Sequence, residues 1–143
     1  MPYITKGWDL FKPAATYNES LPDDNPYEGK LYDIKAAVFP YNLNEMYTKN
    51  DAGILRSTPF GNDLLAEFAK KAIAEEALGK DDITDFLTIS FSSTDYVGHL
   101  FGPRSVELQD TYLRLDQTIS DFLLYLDKTI GKDKYLLFLT ADH

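Results

Sequence analysis

Two histidines occur in this chain, and each has an aspartate at a spacing that can do chemistry. Asp95 precedes His99 by four positions, in the run Ser92-Ser93-Thr94-Asp95-Tyr96-Val97-Gly98-His99. Asp142 and His143 are adjacent, at the end of Leu139-Thr140-Ala141-Asp142-His143. Carboxylate oxygen and neutral imidazole are competent zinc ligands, at about 2.0–2.2 Å each. Manganese accepts the same donors. The chain has no cysteine, so any metal must rest on oxygen and imidazole. Asp95 and His99 can converge on one ion if the backbone turns tightly, and Gly98 would permit that turn. Neighbouring residues on a strand point to opposite faces, so Asp142 and His143 share an ion only where the chain leaves the strand. On spacing alone, each pair reads more readily as hydrogen-bonded polar loop groups, and only the two pairs at neighbouring strand ends bring metal binding level with that reading.

The elements that must position these residues are legible in the last two thirds of the chain. Thr58-Pro59 starts a helix carrying Leu64, Leu65, Phe68, Ala72 and Ile73, and Gly79 closes it. Residues 86–91 are a short apolar run with the length of a buried strand. A loop rich in Ser, Gly and Pro follows and contains Asp95 and His99. Next comes the strongest helical pattern, Tyr112, Leu115, Ile119, Phe122, Leu123, Leu126 and Ile130, stopped by Gly131. Residues 135–140 are a second buried-strand run, with Asp142-His143 directly after it. Strand, helix, strand predicts an α/β fold with parallel strands joined by a right-handed crossover. Ligands of such sheets bind beyond the carboxyl ends of the strands, which is where both Asp/His pairs fall. Residues 1–57 are aromatic, proline-dotted and weakly periodic, an irregular excursion with a short strand near Tyr3-Thr5. Residues 58–143 form the helix–strand–helix–strand core segment.

Composition bounds the partners. With 23 acidic and 14 basic residues the net charge is −9, which argues against nucleic acid. A small anionic substrate then needs a local reversal of sign, which bound divalent ions would supply. No apolar run approaches the roughly 20 residues that cross a bilayer, so no membrane span is expected. Met1-Pro2-Tyr3-Ile4-Thr5-Lys6 lacks the pattern of a secretory signal.

The motif Asp95-x-x-Gly98-His99-x-x-Gly102-Pro103, followed by a long helix and a strand ending Thr140-Ala141-Asp142-His143, resembles the type I phosphodiesterase/nucleotide pyrophosphatase family of the alkaline phosphatase superfamily. Ser90-Phe91-Ser92-Ser93-Thr94-Asp95-Tyr96-Val97-Gly98-His99, with Asp110-Thr111-Tyr112-Leu113-Arg114-Leu115-Asp116, looks most like its bacterial single-chain zinc alkaline phosphatase branch. The likeness spans about residues 57–143. It implies a parallel alkaline phosphatase-like sheet with covering helices. It also implies two zinc ions, with Asp95 and His99 on one and Asp142 and His143 on the other. The first ion takes its third ligand from a later histidine. The second is shared with another aspartate and a Thr or Ser nucleophile on an earlier strand.

The chain departs from that pattern. No segment reads as the nucleophile strand, no histidine follows His143, and the chain stops inside a motif. It therefore reads as an internal fragment, inactive alone, of a two-zinc phosphohydrolase whose parent cleaves phosphate monoesters. A phosphodiesterase or nucleotide pyrophosphatase of the same superfamily is the alternative, and a non-catalytic α/β interaction domain is the other. The resemblance implies a periplasmic or secreted bacterial protein. Arg56 and Arg104 are phosphate-gripping candidates only by charge. Unpaired sheet edges would let the fragment self-associate.

Overall fold

The computed structural model describes residues 2–32, 34–50 and 52–141. Helices dominate: α1 (Pro2–Lys6), α2 (Leu43–Asn50), α3 (Phe60–Glu75), α4 (Ser93–Phe101) and α5 (Val106–Leu126). A 3-10 turn at Ala52–Ser57 leads into α3, and one π-helical turn, Asp127–Gly131, prolongs α5.

Three expectations are corrected. The parallel α/β sheet is not formed: no strand occurs among the described residues, whose one isolated bridge pairs Trp8 with Tyr41 in antiparallel sense. Residues 86–91 and 135–140 have no hydrogen-bonded ladder. A helix satisfies its own backbone, whereas a strand needs a second segment alongside, and an apolar run does not supply one. Most apolar side chains of these runs stay in solvent, with Phe86 89% and Phe138 82% exposed, while Ile89 and Tyr135 pack against the α3–α5 core. The strand expected near Tyr3-Thr5 is helix α1. The loop expected at residues 92–103 is mostly helix α4.

The two long helices form, although Leu64 and Phe68 of the α3 stripe and Tyr112 of the α5 stripe are exposed. Ser105 caps α5, its hydroxyl accepting from the Leu108 amide at 3.1 Å. Ala69 and Ile73 of α3 bury against Phe122 and Leu126 of α5. Thr118 donates to Asp63 across this interface at 2.6 Å, and the Tyr125 hydroxyl donates to the Lys70 carbonyl at 3.0 Å.

A larger core lies where the excursion meets α4 and α5. Trp8, Leu31, Tyr41 and Leu43 bury with Ile54, Phe60, Val97, Phe101 and Leu108. Trp8 stacks on Tyr41, and Phe39 and Phe101 meet it edge-on. Asp110, fully buried on α5, pins the chain start to this core. Its carboxylate accepts from Trp8 Nε1 (2.7 Å), the Phe11 amide (2.7 Å), the Tyr17 hydroxyl and Arg114 Nε (2.6 Å). A buried charge persists only when paired and hydrogen-bonded, and Asp110 is both. Further along, Leu21 donates to the Arg104 carbonyl at 2.7 Å and Gly29 to the Leu100 carbonyl at 2.8 Å. The aromatic excursion is therefore strapped backbone-to-backbone over the α4–α5 corner.

Candidate metal centre

Helix α4 sets the geometry of the first Asp/His pair. Successive helical residues turn by about 100°, so Val97 and Phe101 share one face and Asp95 and His99 share the opposite one. Val97 and Phe101 are buried in the core, which turns Asp95 and His99 outward. Their side chains are 43% and 75% exposed. His99 Nε2 lies 3.2 Å from Asp95 Oδ1. Two ligands at about 2.0–2.1 Å from a tetrahedral ion stand about 3.3 Å apart, so the pair has the separation a zinc site requires.

Helical spacing, not a tight turn, brings the pair together, which corrects the part expected of Gly98. Gly98 sits inside α4, where a Cβ would meet Leu108 at an ordinary 3.7 Å. The residue needing glycine's freedom is Gly102, which caps α4 at a φ of 95°.

Sequence reasoning missed Asn62, which anchors the start of α4. From α3, its buried side chain accepts from the Ser93 amide at 3.2 Å and donates to Thr94 Oγ1 at 3.0 Å. An orphan amide of the first turn is thereby satisfied by another helix, which fixes where Asp95 emerges. No local pattern signals this, because Ser93 lies 31 positions from Asn62.

Beside that first turn is a cleft of about 330 Å³ whose lining includes Arg56, Asn62, Ser92, Ser93 and Tyr96. The Arg56 guanidinium stands over the Tyr96 ring at 5.2 Å, which gives it a place in this cleft beyond its charge. Asp95 and His99 are not among the lining residues, so the cleft neighbours this Asp/His pair without containing it. Arg104 is exposed at the α4–α5 corner and contributes its carbonyl to the strap. Asp142 and His143 lie outside the described residues.

The sequence model of the type I phosphodiesterase / nucleotide pyrophosphatase family matches residues 8–143. Alkaline phosphatase PhoV of Synechococcus elongatus is 52% identical over 141 residues, 99% of this chain and 26% of that protein. A calcium-transporting ATPase of Myroides odoratus is 49% identical over 143 residues, again 99% of this chain and 26% of the relative. The crystal structure of wild-type alkaline phosphatase PafA superposes with a TM-score of 0.87 at 48% identity, covering 90% of this chain and 25% of that one. The chain thus spans about a quarter of the length of the relatives it matches. With the family match extending over nearly its whole length, the chain belongs to the type I phosphodiesterase / nucleotide pyrophosphatase family.

Proposed function

We propose that the whole protein carrying this chain is a two-zinc phosphohydrolase acting on phosphate monoesters. One observation carries the reading: Asp95 and His99 present a carboxylate oxygen and an imidazole nitrogen 3.2 Å apart on the outward face of one helix. The names of the relatives support a phosphatase, with PhoV and PafA both alkaline phosphatases. The family's description favours a second reading, cleavage of phosphodiesters or nucleotide pyrophosphates. A periplasmic or secreted location goes with the alkaline phosphatase reading. No helix among the described residues is long and apolar enough to cross a membrane.

In this proposal Asp95 and His99 hold one ion and Asp142 and His143 help hold the second. Bound zinc neutralises phosphoryl charge and lowers the pKa of a nearby hydroxyl. The contribution of this chain is to aim the ligands. Asn62 fixes the first turn of α4, and Val97 and Phe101 set its rotation. No hydroxyl of this chain is proposed as nucleophile. Thr58 donates to the Leu55 carbonyl and Thr94 accepts from Asn62, so each has a structural bond. Two ligands per ion fall short of the three or more used in catalytic sites, so these 143 residues alone are proposed to be inactive.

The test uses the whole protein, zinc-loaded, on p-nitrophenyl phosphate and its bis ester side by side. A monoester preference abolished by His99→Ala is the expected result. A diester preference with the same dependence selects the second reading. Turnover unaffected by His99→Ala overturns the metal assignment.

A further inference from the structure

A second group of acidic side chains stands apart from the Asp95–His99 pair. Asp23 and Glu28 of the excursion and Glu107 of α5 each bring a carboxylate oxygen within 4.8 Å of the others. Asp23 is exposed, Glu28 half-buried and Glu107 fully buried. Glu107 Oε1 accepts from the Tyr41 hydroxyl, while its Oε2 is buried without a hydrogen-bond partner. An unpartnered buried carboxylate oxygen is costly, and two further carboxylates beside it raise the cost.

We propose that Asp23, Glu28 and Glu107 hold a calcium-class divalent cation, which clamps the excursion to helix α5. Three carboxylates and no imidazole or thiolate are the donors of a hard cation. Calcium binds oxygen at about 2.3–2.6 Å, so ligands on one ion stand up to about 5 Å apart. The three oxygens, all within 4.8 Å of one another, fall within that reach. The carboxylates are already held in place: the Asn25 amide and Nδ2 donate to Glu28, and the Phe39 amide donates to Asp23. Glu107 is buried beside the carboxylates of Glu28 and Asp23. The nearby charges are therefore acidic, and a cation relieves all three at once. The clamp is independent of the phosphohydrolase reading, since it uses neither Asp95 nor His99.

The experiment is calorimetric titration of the whole protein, zinc-loaded and freed of calcium, with calcium chloride near neutral pH, with melting followed in parallel. Expected is one binding event that raises the melting temperature, at least roughly tenfold weaker in Asp23→Asn and absent in Glu107→Gln, because affinity follows ligand charge. His99→Ala is expected to bind calcium as the unsubstituted chain does. Terbium in place of calcium should luminesce on excitation of Tyr41, and added calcium should quench the signal by displacement. Absence of calcium binding, or binding that survives both Asp23→Asn and Glu107→Gln, overturns the proposal. Asp23 is exposed, so its variant keeps the test decisive should Glu107→Gln fail to fold.

Discussion

Alanine at Gly29 should loosen the excursion from helix α4, and the structure gives the size of the effect. A Cβ at this position would lie 2.3 Å from the Leu100 carbonyl oxygen and 3.0 Å from Leu100 Cδ1. The closer obstacle is backbone, so no side-chain rotation relieves it. The strap must move, and the 2.8 Å hydrogen bond from the Gly29 amide to that same oxygen goes with it. Overpacking costs about 1–3 kcal/mol and the lost bond about 1 kcal/mol. Stiffening of the unfolded chain returns about 0.4–1 kcal/mol, leaving a net loss of about 1–3.5 kcal/mol. For a chain of this length that lowers the melting temperature by roughly 3–12 °C. Gly98→Ala is the control, because its Cβ meets Leu108 at an ordinary 3.7 Å. That substitution sits inside a helix and should stabilise by up to ~1 kcal/mol. Thermal unfolding followed by circular dichroism reads both. If Gly29→Ala melts with the unsubstituted chain, the excursion is not seated on Leu100 and the strap described above is wrong.

Other perturbations probe different contacts. Asp110→Asn removes the charge that pairs with Arg114 and takes the acceptor from two of its four donors, at a cost of about 3–5 kcal/mol. Trp8 is the sole tryptophan and is fully buried, so its emission should shift red at markedly lower urea in this variant; an unchanged midpoint would refute the hub. Burial, and then the hydrogen bond to Asp110, push the Tyr17 hydroxyl up to about 12 from 10.0. The folded state favours the neutral phenol, so this contribution is complete below pH 10.0 and is lost as pH rises through about 12. Absorbance titration should show a late phenolate that disappears in Tyr17→Phe; titration of Tyr17 with exposed tyrosines would count against it. The exposed Phe86, Leu136, Phe138 and Leu139 should make the isolated chain associate reversibly with concentration. Light scattering should show Phe86→Lys and Phe138→Lys reducing that association, and a monomer at every concentration would rule it out.

The sequence was legible where structure is local. The apolar spacing of Phe122 and Leu126 placed α5, and that of Ile73 placed α3, because a helix writes its buried face into one stretch of chain. The apolar runs at 86–91 and 135–140 were visible too, but a ladder depends on a second segment that periodicity does not name. At 93–101 the Ser, Thr and Gly content masked a helix, since its start is fixed by Asn62 and its buried side has only Val97 and Phe101 as fully buried apolar residues, beside Ser93. The Asp95–His99 pair was readable because its partners are four apart. Glu107 was not, because what makes it unusual is burial against Tyr41, 66 positions away.

The carboxylate of Asp110 also bears on the order in which the chain assembles. Its partners Trp8, Phe11 and Tyr17 lie 102, 99 and 93 positions away. Closing a loop of that size costs about 4 kcal/mol in chain entropy, before any contact offsets it. Part-way docking gains little, because Asp110 loses water as Trp8 covers it and needs every donor in place to compensate. Helices α4 and α5 meet through a short turn and face no such delay. The first seventeen or so residues are thus expected to arrive together, late, and in one step, after the helices they cover have already met.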